Sequence, residues 1–393
     1  MADVTGERMT SNVAQSQRTI DLFPEIMLLE PEAAPITVVL RSIYNGGRRR
    51  KTNDPMFSWH EDELAERIGI NDGGDTAAAL AIDAIDGSVF ADDDLVFVPS
   101  TGEVFRVTEV AANTLTVIRG IGSTTAADIA DTAEMYIIGT AAAEGSDSEV
   151  AESNNPVKVT NYTQIVKNSI EASASWRSTA NESTPHDWGY QHRKEGIEHE
   201  KTKELAFLHG SPSADATGGT PGPIRTTGGL DHYLTENIID AGDAALTETG
   251  FEDAMRAWFR YGSSTKTLFA SPLIVSQLSL FAQGKVQTTV GTTTYGVRVQ
   301  TYYSPHGTLN IVKHNLLEGE QSGNAYVVDF VAGNVQYRYL DGSGAPGGSR
   351  DTRLYTDRQN PGTDGQRDEI ISEVGLQCGL PKTGGRLTGV AGV

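Results

Sequence analysis

A chain of 393 residues has room for two or three compact units, and 38% hydrophobic residues with 42 glycines are ordinary material for globular cores. Its 52 acidic residues outnumber 31 basic ones for a net charge of −21, which argues against a sequence-reading nucleic-acid binder with a concentrated basic face. The single cysteine, Cys378, excludes an internal disulfide framework and every CxxC motif, and there is no run of about 18 apolar residues to form a transmembrane helix.

Residues 1–18 are polar and aperiodic, the pattern of a flexible arm, without the basic-then-apolar order of a signal peptide. Ile36, Val39, Leu40 and Ile43 then recur at helical spacing, and Asn45-Gly46 supplies a stop. The basic run Arg48, Arg49, Arg50 and Lys51 reads either as a solvated loop or as a contact with an acidic partner surface, such as another subunit. "FSWHEDEL", Phe57 to Leu64, alternates as a strand with Phe57 and Trp59 on one face.

Residues 72–87 are small and polar. Three β runs follow, Leu95–Val98, Glu103–Val110 and Thr114–Arg119, with turns at Ser100-Thr101-Gly102 and Ala112-Asn113. With a further run from Glu134 to Gly139 they predict a self-contained β meander or small barrel of about 60 residues. "AAAEGSDSEVAESNNP" closes it with linker composition, and Val157–Ile170 is extended again. The β-unit is therefore expected as an insertion between two strands, Phe57–Trp59 and Val157–Ile170, that belong together.

Thr184 as N-cap, Pro185 in the first turn and Gly210 as a stop predict a helix over 184–210, roughly 37 Å long at 1.5 Å per residue. Tyr190, Ile197, Leu205 and Leu208 make only an incomplete apolar stripe. A polar helix of this length either spans between bodies or is covered by other chains. A Gly-rich loop, 211–229, leads to a second α/β region, where Phe251, Met255, Trp258 and Phe259 share a helical stripe. Strand Thr267–Ala270 precedes a helix capped by Ser271 with Pro272 at its start, and a hairpin is expected around Pro305-His306-Gly307. "AYVVDFVAGNVQYRYL" adds two strands and "RDEIISEVGLQCGLP" a last one.

The histidines of "HRKEGIEHEKTKELAFLHG" invite a metal-site reading, which the spacing rejects. His199-Glu200 opens an HExxH motif, but Lys203 stands where the second histidine belongs. In the inverted motif His192 and Glu195 are followed by Gly196. His192, Glu195 and His199 share a face, yet the two histidines lie about 10 Å apart along the axis, too far for one ion with bonds of about 2 Å. Asp92-Asp93-Asp94 lacks the alternation of an EF-hand loop. There is no GxSxG elbow, phosphate loop or dinucleotide fingerprint, so neither an enzyme nor a cofactor is expected.

The order of these parts, with the segments "LLEPEAAPITVVL", "FSWHEDEL", "TGEVFRVTEVAANTLTVIRG", "NYTQIV", "EHEKTKELAFLHG" and "TTGGL", resembles the major capsid proteins of tailed bacteriophages with the Johnson (HK-97-like) fold. The likeness is to the branch with a small β-domain inserted in the extended loop. It implies an α+β fold with an N-terminal arm and short helix (1–50), an extended loop (51–75 and 145–182) and an inserted β-barrel domain (76–144). A peripheral domain (183–228 and 340–393) would hold the spine helix 184–210, and an axial domain would occupy 229–339. The implied function is self-assembly of a virion shell in the host cytoplasm, as hexamers and pentamers around double-stranded DNA bound without sequence preference. Scaffolding, cement or decoration proteins and a portal are further partners, and an acidic inner wall would let DNA slide. No membrane is involved. Another virion component, such as a tail-tube or decoration protein, is the alternative, with a metallohydrolase behind it. The candidate contacts between subunits are Arg48, Arg49, Arg50, Lys51 and Trp59 on one side, and Glu195, Glu198 and Glu200 on the other.

Overall fold

The structure, a computed structural model, describes residues 34–41, 49–142, 144–145, 155–178, 187–215, 222–285, 299–330, 334–342 and 348–392. Ile43, the stop at Asn45-Gly46, Arg48 and the cap Thr184-Pro185 lie outside the described residues. The chain forms two compact units: one is built from the chain up to Trp59 and from Lys158 onward, the other is His60–Val157.

In chain order the first elements are helix α1 (Pro35–Arg41) and strands β1 (Arg49–Thr52) and β2 (Met56–Glu61). The smaller unit then supplies β3 (Ile68–Ile70), β4 (Ala81–Asp83), β5 (Asp94–Val98), β6 (Glu103–Ala111), β7 (Thr114–Ile118) and β8 (Glu134–Thr140). After it come β9 (Val157–Tyr162), β10 (Gln164–Ser173), α2 (Ala174–Ser178), α3 (Asp187–His209), α4 (Leu230–Tyr233), β11 (Ile238–Ala244) and α5 (Glu248–Trp258). The remainder is β12 (Thr265–Ala270), α6 (Pro272–Lys285), β13 (Val299–Ser304), β14 (Gly307–Lys313), β15 (Ala325–Val328), β16 (Val335–Gly342), β17 (Gly348–Ser349), β18 (Arg353–Tyr355), β19 (Gly365–Cys378) and β20 (Gly385–Val390).

The larger unit holds two six-stranded sheets. The first runs β1-β16-β19-β10, with β17 on β16 and β18 on β19. Its backbone is β19, antiparallel to β10 over ten pairs from Gln164↔Val374 to Ser173↔Gly365. Burial along β19 alternates at first and is then continuous from Ser372 to Cys378, because its second half is covered on both faces. Phe57 and Trp59 fall on one buried face of β2, their rings 6.2 Å apart, as period-2 alternation demands. Strand β2 pairs with β9, so the strands flanking the insertion do belong together.

The second sheet runs β11-β20-β15-β12-β14-β13. Helix α5 lays Phe251, Met255 and Trp258 into its core, while Phe259 forms the C-cap and is only partly buried. Thr247 caps α5 by accepting from the Gly250 N–H at 3.1 Å, and Ser271 Oγ accepts from Ile274 N at 3.2 Å at the start of α6. The sheets cut across the boundaries expected from sequence. Strand β16 starts at Val335, inside the expected 229–339 block, yet belongs to the first sheet; β20, from the expected 340–393 block, joins the second.

The smaller unit is one sheet in the order β3-β8-β5-β6-β7-β4. Its two edge strands meet where Asn71 bridges Ala84 and Ile85 N donates to Ile70 O at 2.9 Å, which closes the sheet into a small barrel. The β5, β6 and β7 alternation fills the interior with Val96, Val98, Phe105, Val107, Leu115 and Val117. Strands β3 and β4 carry no alternation long enough to read, so the unit begins upstream of the expected residue 76.

One buried ion pair ties its loops together. Arg119 spends all five N–H donors: Nε and Nη2 on the Glu103 carboxylate at 2.6 Å each, Nη2 also on Ala127 O, and Nη1 on Thr76 O and Ala79 O. Arg119→Lys keeps the charge but can make at most three of these five bonds and loses the two-pronged grip on Glu103, a loss of about 2 kcal/mol. The expected readout in the full chain is faster amide exchange across 119–130; unchanged protection there would contradict this role.

Candidate assembly surfaces

Helix α3 is polar on the face it buries. His199, Lys203 and Glu204 are each 0% exposed, and Phe207 and Leu208 continue the same face one turn on. Of the expected apolar stripe, Leu208 is buried and Tyr190 and Ile197 are half-buried, but Leu205 is 43% exposed and points away. Where the sequence reading had the helix spanning between bodies or covered by other chains, one polar face is buried within its own chain. Stepping back by four from Phe207 and Leu208 reaches Lys203, Glu204 and His199, the one signal in the sequence that marked them.

Glu204 is the centre of a buried junction. Its carboxylate accepts from Ile36 N at 2.6 Å, Thr37 N at 2.8 Å and Thr37 Oγ1 at 2.6 Å, so it caps α1 from 167 residues away. His314, after β14, places Nε2 2.9 Å from the same carboxylate. An ionised carboxylate only accepts, so that imidazole nitrogen carries its hydrogen.

A second chain of polar contacts runs along the helix. Lys203 Nζ donates to Glu200 at 2.7 Å and to Thr352 Oγ1 at 2.9 Å; Thr352 and Ser372 hydroxyls are 2.9 Å apart. Ser372 Oγ is 2.6 Å from His199 Nε2, His199 Nδ1 is 2.8 Å from Asn168 Oδ1, and Asn168 Nδ2 donates to Glu195 at 3.3 Å. The Asn168 amide oxygen only accepts, so His199 Nδ1 carries a hydrogen and donates it. In the neutral ring Nε2 is then left to accept from the Ser372 hydroxyl. Burial, then the Lys203 charge, pull its pKa down to about 4.

The remaining candidate contacts are placed as follows. Arg49 pairs with Asp351, whose other oxygen accepts from Tyr337 OH at 2.6 Å, and its guanidinium lies over Tyr339 at 4.8 Å. Lys51 is 3.6 Å from Asp341. Arg50 is exposed on β1, an edge strand. Trp59 is buried against Phe57 and Tyr233 within its own chain. Glu200 takes Arg41 at 3.1 Å as well as Lys203, whereas Glu198 is exposed, with Lys201 at 3.4 Å. His192 Nε2 is 2.8 Å from Asp368, and His199 has both nitrogens engaged, so the two rings face different partners. Among the described residues no three His, Cys, Asp or Glu side chains converge as metal ligands.

Residues 5–391 match the protein family described as SU10 major capsid protein. The major capsid protein of Pseudomonas phage PaMx41 is 29% identical over 317 residues, 74% of each chain. Among solved structures, the capsid asymmetric unit of cyanophage A-1(L) superposes with a TM-score of 0.52 at 12% identity, across 97% of this chain and 98% of that one. A long helix against a β19-centred sheet, a second sheet with its own helices, and a strand pair carrying extra chain thus make an α+β capsid subunit of the HK-97-like fold. The chain belongs to the SU10 major capsid protein family, and it is a structural component of the virion capsid.

Proposed function

We propose that this chain is the repeating subunit of an icosahedral shell, assembled as hexamers and pentamers around packaged double-stranded DNA, and that assembly rather than catalysis is its work. The observation that carries the reading is the family match across 5–391, nearly the whole chain. In this reading α3 is the spine helix, the first sheet is the core of the peripheral domain, and the second sheet with α5 and α6 is the axial domain. The β2–β9 pair is the root of the extended loop, with the small barrel as its insertion. Buried anchoring of α3 supports the assignment, since a spine that transmits load between neighbours must be fixed in its own subunit first. The test is electron microscopy of the purified, concentrated protein: closed shells are expected, and tubes or open rings would favour a tail or decoration role.

A further inference from the structure

The basic strand β1 is neutralised unevenly. Arg49 and Lys51 have Asp351 and Asp341 as partners in the same chain. Arg50, on the opposite face of the strand, sits instead beside another arginine, because the parallel register sets Arg50 against Arg338 of β16. Arg338 is only 9% exposed, and its guanidinium donates from Nε at 2.9 Å and from Nη2 to a neutral acceptor, Gln377 Oε1. The Phe57 ring lies 5.8 Å beneath it. Burial and then the Arg50 charge pull the Arg338 pKa down to about 10, so Arg338 is still a cation near neutrality. Among the described residues no carboxylate forms an ion pair with either one.

Two adjacent guanidiniums at a sheet edge, one buried on a neutral amide, form an unfinished anion site, since buried charges are normally paired. We propose that Arg50 and Arg338 receive an aspartate or glutamate carboxylate from a second copy of this chain. The occupant follows from charge: each copy carries 52 acidic residues and a net −21, so neighbouring copies present carboxylates in excess. Two guanidiniums match the two oxygens of a carboxylate, a stronger contact than a single exposed pair. The proposal rests on the shell-subunit reading and adds to it the atoms that meet.

The test uses Arg50→Lys subunits, half of them isotope-labelled, mixed before assembly and treated with a zero-length carbodiimide coupler of amines to carboxyls. Mass spectrometry is expected to find position 50 joined to an Asp- or Glu-containing peptide of the other label. Shells that give mixed-label links elsewhere but none from position 50 overturn the proposal while leaving the shell reading intact. Arg50→Glu should fold normally by circular dichroism, because the side chain is exposed. It should raise the protein concentration needed for assembly by about tenfold, with weaker dependence on added salt. An Arg50→Glu protein that assembles like wild type but fails to retain DNA would assign the site to phosphate and overturn the proposal. Wild-type protein that never forms shells would remove the shell reading and this contact with it.

Discussion

Glu204→Ala is expected to destabilise the larger unit by about 3–5 kcal/mol, the range for removing one partner of a buried charged network. The substitution leaves two α1 backbone N–H groups, the Thr37 hydroxyl and His314 Nε2 without their acceptor in a site closed to water. Orphaned buried donors cost about 1–3 kcal/mol each, and partial collapse keeps the sum below the simple total. Glu204→Gln keeps the shape but brings an NH2 donor against donors, so it should lie between wild type and alanine. Urea unfolding measures the loss, and amide exchange localises it. Protection at Ile36 to Leu40 should fall far more than in α5, because α1 is only seven residues long and has Glu204 for its cap. A midpoint within about 1 kcal/mol of wild type, with α1 protection unchanged, would show that the junction is not a clamp.

Stability should fall as pH drops from 6.5 toward 4, and His199 should account for a defined part of the fall. Its ordinary value is 6.5 and its folded value about 4. Between those limits an unfolded chain takes up a proton that the folded chain refuses, so unfolding gains about 1.4 kcal/mol per pH unit. The contribution is fully present above 6.5 and is lost progressively below it, the loss reaching the order of 3 kcal/mol at pH 4. The geometry explains why the proton is refused. The ring is closed to water, and the Lys203 charge lies a short polar chain away through Thr352 and Ser372, so a second positive charge there is disfavoured. His199→Gln removes the titration, so the difference between variant and wild-type unfolding free energies should narrow as the pH falls. An identical pH slope for the two proteins would place the acid sensitivity elsewhere. Nitrogen chemical shifts of the imidazole give an independent check, with hydrogen on Nδ1 as the expected state.

Much of the architecture was legible in advance, and the reason is local. Strands β5, β6, β7 and β8 announce themselves by alternation between turn residues, and α5 by a stripe of Phe251, Met255 and Trp258. The pairing of β2 with β9 matches the expectation that Phe57–Trp59 and the strand from Val157 onward belong together. Strands β3, β4, β11 and β20 escaped notice, being short or rich in Gly, Asp and Thr, with nothing periodic to read. Strands without a local signature also decide which sheet a segment joins, as β20 does in pairing with β11 and β15.

The spine helix divides the two sources of information most clearly. From composition alone "HRKEGIEHEKTKELAFLHG" is a polar helix with a failed metal motif, and Lys203 at the failed position was already legible. That Lys203 and His199 are buried, and that a second buried charge on the helix, Glu204, caps another helix, depended on residues 36, 37, 168, 314, 352 and 372 arriving from five other parts of the chain. Periodicity and turn chemistry act between near neighbours, so the sequence by itself determined the elements, their order and the family they resemble. The partner of a buried charge is chosen by distance in space. Only the tertiary structure could therefore decide that Arg49 and Lys51 are paired within the chain, that Arg50 stands beside a second arginine, and that the helix's buried charges hold its own subunit together.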